Sequence, residues 1–134
     1  MIVIETGQHI VDFVVSRVCG DTDLGEAVGI GTSRDGVILG GTAFYNWNGR
    51  NINAHIAADA PGWMNKSYMR YMLSYPFITC GAERLTAFVD EDNVHCQNFI
   101  TKMGFDLETR MKDACSSGDI LIFVMYKDKC RWIK

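Results

Sequence analysis

The 134-residue chain predicts an α/β domain of the α+β kind, a mostly antiparallel sheet carrying three helices, and three observations predict it. Apolar residues recur at helical spacing in three places, runs rich in β-branched and aromatic residues lie between them, and glycine turns mark the joints. The order is helix, three strands, helix, strand, helix, two strands.

Thr6 is placed to cap the first helix, whose residues Ile10, Val14 and Val18, with Val11 and Val15 beside them, share one face. Cys19-Gly20-Asp21 is the turn that ends it. Ala27 to Ser33 and Val37 to Tyr45 read as strands joined at Arg34-Asp35-Gly36, because Asp-Gly accepts the positive φ of a tight hairpin. A third strand follows Asn48-Gly49, with Ile52, Ala54 and Ile56 alternating against Asn53 and His55. After the loop Ala58 to Gly62, Met69, Met72, Leu73 and Phe77 predict a helix from about Asn65 to Cys80, with Pro76 in its last turn and Gly81 as its stop. Arg84 to Val89 is a strand by its composition. Cys96, Phe99, Ile100 and Met103 then form a helical stripe closed by Gly104. Asp106 to Lys112 and Ile120 to Tyr126 complete the set as strands flanking Ser116 to Asp119.

This length suits one domain, residues 1–134, with no repeat, linker or low-complexity tract. A net charge of −3 gives no electrostatic reason to expect nucleic acid or an anionic membrane as partner. No apolar run approaches the ~18 residues of a membrane span, and the start, with Glu5, His9 and Asp12, lacks the basic region of a signal peptide. The five cysteines show neither CxxC nor Cys/His spacing, so they are read as reduced thiols in a cytosol, with no metal site. The expected location is cytoplasmic.

Four short segments keep a common register. Tyr75-Pro76-Phe77 closes the second helix, Gly81-Ala82-Glu83-Arg84 leads into a strand, Asn93-Val94-His95-Cys96 opens the third helix and Lys102-Met103-Gly104-Phe105 closes it. The series resembles the GNAT superfamily of N-acetyltransferases, in its ribosomal-protein and small-molecule acetylating branch, and within that the short forms often carried by tailed phages. There Tyr-Ala-Phe, Gly-x-x-Arg, Asn-x-x-Ser and Lys-Leu-Gly-Phe stand in the same order. The resemblance implies a central mixed, mostly antiparallel twisted sheet of about six to seven strands with helices on both faces. It also implies acetyl-CoA as cofactor and a primary amine, on a protein or a small molecule, as acceptor. A phage-encoded chain would work in the host cytoplasm. Homodimers are frequent in the superfamily, and Cys130-Arg131-Trp132-Ile133 stands either to pair across an interface or to cover the core.

A CoA thioester needs donors for its pyrophosphate, a slot for its pantetheine arm and a polarising group at its carbonyl. The loop entering the second helix offers backbone N–H groups at Gly62, Trp63, Met64, Asn65, Lys66 and Ser67, with Lys66 adding charge. Pro61 and Gly62 equally suit a plain turn, and Trp63 is a lid or simply core. By resemblance, the strand of Asn53 to Ala57 splays from that of Arg84 to Val89, and N–H groups near Ile56 and Ala57 stabilise the oxyanion. Asn93 is the cofactor contact, the helix N-cap, or both. Lys102 belongs to the same cofactor-binding set. Phe99 stands where many relatives place a tyrosine that protonates the leaving thiolate, which leaves Cys96 or a water for that role; as a free cysteine, Cys96 is more simply a packed core residue. His55, on the polar face of its strand, is the candidate base, with a hydrogen-bonded strand histidine as the alternative and Asp59 in reserve. Tyr45, Asn46, Trp47 and Arg50 are expected to border the acceptor cleft, unless the segment is only a hairpin with Asn48-Gly49 as a type I′ turn. The contrasting expectation is a GNAT-fold protein that no longer catalyses and works by binding a host or partner protein.

Overall fold

The computed structural model describes residues 1–18, 23–60 and 62–134. The described elements are β1 (Ile2–Thr6), α1 (Gln8–Val15), β2 (Ala27–Arg34), β3 (Val37–Tyr45), β4 (Asn51–Ala58), α2 (Lys66–Ser74), β5 (Arg84–Asp90), α3 (Val94–Met103), β6 (Asp106–Cys115) and β7 (Gly118–Tyr126). Among the described residues seven strands form one sheet in the order β1-β2-β3-β4-β5-β7-β6, antiparallel throughout except for the β4–β5 pair.

Alternation along the strands sends neighbouring side chains to opposite faces, and each face buries a separate cluster. Ile30, Phe44, Ile52, Ala54, Ile56, Leu85, Ala87, Leu121, Phe123 and Met125 pack under α2, the turn that follows it and α3 through Tyr68, Met72, Leu73, Phe77, Ile100 and Met103. On the other face Val11, Phe13 and Val14 of α1 pack with Ala43 and Ala57. The helix comes this close because Gly31 and Gly41 lack a Cβ; one added at either would lie within 3 Å of the Ile10 side chain.

Several elements depart from the expected boundaries. Ile2–Thr6 is a strand, since it finds the edge of β2, and Thr6 does not cap α1; Gly7 precedes that helix at φ 138° and ties its N–H to the Gly29 carbonyl. The expected turn at Cys19-Gly20-Asp21 lies outside the described residues. Asp35 and Gly36 both take positive φ, as the hairpin predicts. At Asn48-Gly49 only Gly49 does, so the turn is not type I′, and the Asn48 side chain instead accepts the N–H groups of Arg50 and Asn51. The second helix is α-helical only to Ser74; Tyr75–Thr79 is a π turn in which the Cys80 N–H reaches back to the Tyr75 carbonyl, because Pro76 brings no N–H to the regular ladder. The C-terminal segment covers the core in two short 3₁₀ turns: Cys130 is fully buried, and Trp132 donates its ring N–H to the Met103 carbonyl at 2.9 Å.

Cys80, Cys96 and Cys130 are free thiols, but Cys115 is disulfide-bonded, which corrects the expectation of reduced thiols throughout and removes the cysteine argument for a reducing compartment. Among the described residues no helix is long and apolar enough to cross a membrane.

Candidate active site

The site begins where two strands stop pairing. β4 and β5 run parallel from Asn51↔Arg84 to His55↔Phe88, and no rung follows. Beyond it β4 stays tied to β3 as far as Ala58↔Gly40, and β5 stays tied to β7 as far as Asp90↔Ile120. The strands are therefore held apart by their outer partners, and the edges of Ile56 to Ala58 and of Val89 and Asp90 face an open fork. A cavity of about 50 Å³ enters it from the α3 side between Trp63, Asn93, His95, Cys96 and Phe99. Another of about 110 Å³ enters from the α1 side between Arg17, Val18, Asp59, Phe88 and Asp90. Both include Ile56, Ala57, Ala58 and Asn93, so the fork opens to both faces of the sheet.

The N-terminus of α2 lies beyond the end of β4. Asn65 caps it, its side-chain oxygen accepting the Tyr68 N–H at 2.8 Å. The N–H groups of Lys66 and Ser67 have no acceptor among the described residues, so two donors remain at the positive end of the helix dipole. Gly62 turns the chain into this helix at φ 78°, while Pro61 lies outside the described residues. Trp63 is core and not a lid: it is 4% exposed, packs on Tyr68 and Phe99, and its carbonyl accepts the Thr32 hydroxyl at 2.7 Å. Met64 is buried beside it.

α3 brings Asn93 to the fork. Its side-chain oxygen accepts the Cys96 N–H at 3.1 Å, which caps the helix, while its amide NH₂ has no partner among the described residues. Burial pushes the Cys96 thiol up to about 12, helped by the charge of Asp90, so it is a neutral group and a weaker acid than a free thiol. Phe99 stacks on Trp63 and offers no hydroxyl. Lys102 stands apart from the fork, on a groove of about 260 Å³ with Met64, Met69, Phe99 and Trp132.

His55 occupies the last rung before the fork, on the α1 face. Its Nε2 lies 3.0 Å from the Tyr45 hydroxyl, the two rings stack at 5.3 Å, and the ring also hydrogen-bonds the Phe88 backbone. Tyr45 and the Phe88 backbone thus hold the ring from two sides. Burial lowers the His55 pKa, with the Phe88 bond opposing, and the imidazole is neutral. Burial also pushes Tyr45 up to about 12. Asp59 is gripped by Arg17 through two hydrogen bonds of 2.6 and 2.7 Å, and that contact holds its carboxyl below the usual range and makes it a weaker base.

Most of the expected acceptor-cleft residues lie elsewhere. Tyr45, Asn46 and Trp47 line a cavity of about 790 Å³ with Ile52 and Tyr75, beside the first residue of β4, and Arg50 sits in the adjoining turn. The fork is at the opposite end of that strand, roughly 20 Å away at ~3.3 Å per residue. Asn46, Trp47 and Arg50 do not border it, because β4 runs away from its own hairpin; Tyr45 alone reaches its mouth, through its hydroxyl on His55. Conversely, Arg17 and Asp90 line the fork without having been singled out. Asp90 lies one residue past the expected strand end at Val89; its parity with Phe88 was the available signal. Its carboxylate accepts no hydrogen bond among the described residues, and burial and Asp92 hold it above the usual carboxylate range.

No family model and no curated protein matches the chain. Solved structures do. yncA of Salmonella typhimurium, assigned as an acetyltransferase and solved with its cofactor acetyl-CoA, is 14% identical at a TM-score of 0.67, covering 96% of this chain and 95% of that one. The Campylobacter jejuni N-acetyltransferase PseH, in complex with acetyl coenzyme A, is 16% identical at 0.57, covering 75% of this chain and 68% of that one. The ribosomal-protein-S5-alanine acetyltransferase of Vibrio fischeri is 13% identical at 0.65; 78% of this chain matches, spanning 64% of that protein's length. The chain has the GNAT fold, and the matches single out neither a ribosomal nor a phage branch.

Proposed function

We propose that this protein transfers an acetyl group from acetyl-CoA to a primary amine by direct attack. The observation that carries the reading is the fork after His55↔Phe88, open to both faces, with the start of α2 following the end of β4 in the chain's path. The residues present suit the cofactor. Unpaired N–H groups of Lys66 and Ser67 would receive the pyrophosphate, with the Lys66 side chain adding charge. The free edge of Ile56 to Ala58 would pair with pantetheine amides, and the Asn93 amide would donate to the same arm. Backbone N–H groups at Ile56 and Ala57 would face the negative charge that grows on the carbonyl oxygen. Acetyl-CoA supplies the activated acyl carbon, and the fold supplies position and electrostatics. A cytoplasmic location follows from that cofactor.

The acceptor, a protein amine or a small one, would approach from the α1 face, where the opening is the wider of the two, about 110 against about 50 Å³. Thermal unfolding with and without acetyl-CoA tests the cofactor half. At 100 times its Kd a ligand adds ~2.7 kcal/mol, and no shift at saturating concentration would sink the reading. Mass spectrometry of a panel of primary amines tests the transfer.

Phe99 and the tightly protonated Cys96 favour a second reading, a GNAT-fold protein that keeps the slot but acts by binding a partner protein. Acetylation of any amine by the purified protein excludes it.

A further inference from the structure

Asp90 shares its strand face with Phe88, two residues before it, and so stands on the α1 side of the fork. It lines that cavity together with Ile56, Ala57 and Asn93, the residues that would hold the thioester arm. Charged groups around it are mostly committed elsewhere. Asp59, at the end of β4, is bound by Arg17 from the end of α1. Glu91 accepts from Arg110 of β6 and from the Asp119 N–H of β7, and Asp119 itself takes Arg110. Cys96 of α3 faces Asp90 as a neutral thiol, and Asp92 adds a like charge from the following turn. What remains is a carboxylate with no hydrogen-bond donor among the described residues, at the place where an acceptor amine would meet the carbonyl.

We propose that Asp90 takes the proton from the acceptor amine and returns it to the departing thiolate, an assignment that rests on the acetyl-transfer reading. The amine nitrogen uses its lone pair to form the C–N bond, and the C–S electron pair leaves with sulfur. The proton released from nitrogen passes to the Asp90 carboxylate and then to sulfur. Amine and thioester become amide and thiol, and the carboxylate is regenerated. No other donor is required, which accounts for a site whose Phe99 has no hydroxyl. Burial and Asp92 move Asp90 in the helpful direction, toward a stronger base. His55, held by Tyr45 and the Phe88 backbone, is a positioning residue at the mouth of the fork.

The test uses the full chain and the Asp90→Asn variant, which keeps size and shape. Acetyl-CoA affinity, read by calorimetry, should stay within about threefold, while kcat/KM for a lysine-bearing peptide or a polyamine falls roughly 10²- to 10⁴-fold and its pH profile loses the inflection that Asp90 adds to the steady fall set by protonation of the amine itself. His55→Gln should retain that inflection. An Asp90→Asn enzyme within about threefold of wild type, or one that keeps the inflection, overturns the assignment. Carbon-13 NMR of the Asp90 carboxyl gives a readout that needs no acceptor: it should titrate above the usual ~3.9 and shift further when CoA is added. A carboxyl indifferent to bound CoA overturns the assignment, whereas a wild-type protein that fails to bind acetyl-CoA at all overturns the enzyme reading with it.

Discussion

His55 faces Phe88 across the last rung of the parallel β4–β5 ladder, and its imidazole hydrogen-bonds the Phe88 backbone while Tyr45 holds its other side. One side chain thus marks where pairing ends and is locked there. Its pKa is lowered in the fold, so between that value and the unfolded ~6.5 the unfolded chain binds the extra proton. The stabilisation is fully present above about pH 6.5 and is lost as pH falls through the folded value. The melting temperature should therefore drop on acidification below that point, and His55→Gln should flatten the drop. A wild-type and variant pair with parallel pH profiles would contradict this.

Asn93 has two separable duties, its oxygen on the Cys96 N–H and its free amide toward the fork. Asn93→Ala should cost about 1 kcal/mol of stability through the lost cap. Asn93→Asp keeps the cap but loses the donor and adds charge, so stability should hold while acetyl-CoA affinity falls roughly tenfold. Urea unfolding and calorimetry separate the two.

Gly40 sits under Trp63. A Cβ there would press into the indole, 2.8 Å from its Cγ, and a ring packed on Tyr68 and Phe99 has little room to yield. Gly40→Ala should cost about 1–3 kcal/mol and shift the tryptophan emission. Because Trp63 walls the fork, cofactor affinity should fall with it.

Arg17 and Asp59 form an exposed pair, at 37% and 48% side-chain exposure, so solvent screens it. A double-mutant cycle with alanine should give a coupling of about 0.2–1 kcal/mol. Asp59→Asn should leave most of the acetyl-transfer rate intact. A loss of 10²-fold or more there would return Asp59 to the role of base.

Local pattern carried much of the fold. The apolar stripe of α3 from Cys96 to Met103, the hairpin at Asp35-Gly36 and the alternation of β4 all lie in stretches of ten residues or fewer, where periodicity is a direct record of which face is covered. β1 escaped because Ile2–Thr6 is a strand only through its partner β2, some thirty residues on. The π turn at Tyr75–Thr79 escaped for a related reason: Pro76 signals a disturbed ladder but not which longer bond replaces it.

By itself the sequence determined the kinds of element, most of their limits, and the ungapped Tyr75 to Phe105 series that resembles the GNAT pattern, because propensity, caps and periodicity are local. Only the tertiary structure decided that β4 leaves β5 after His55, since the gap is fixed by β3 and β7 pulling from outside. It also decided that Asn46 to Arg50 lie at the far end of β4, that Arg17 engages Asp59, and that the Asp90 carboxylate has no hydrogen-bond donor among the described residues. Basicity and reach depend on what stands across a gap, and residues distant in sequence supply that.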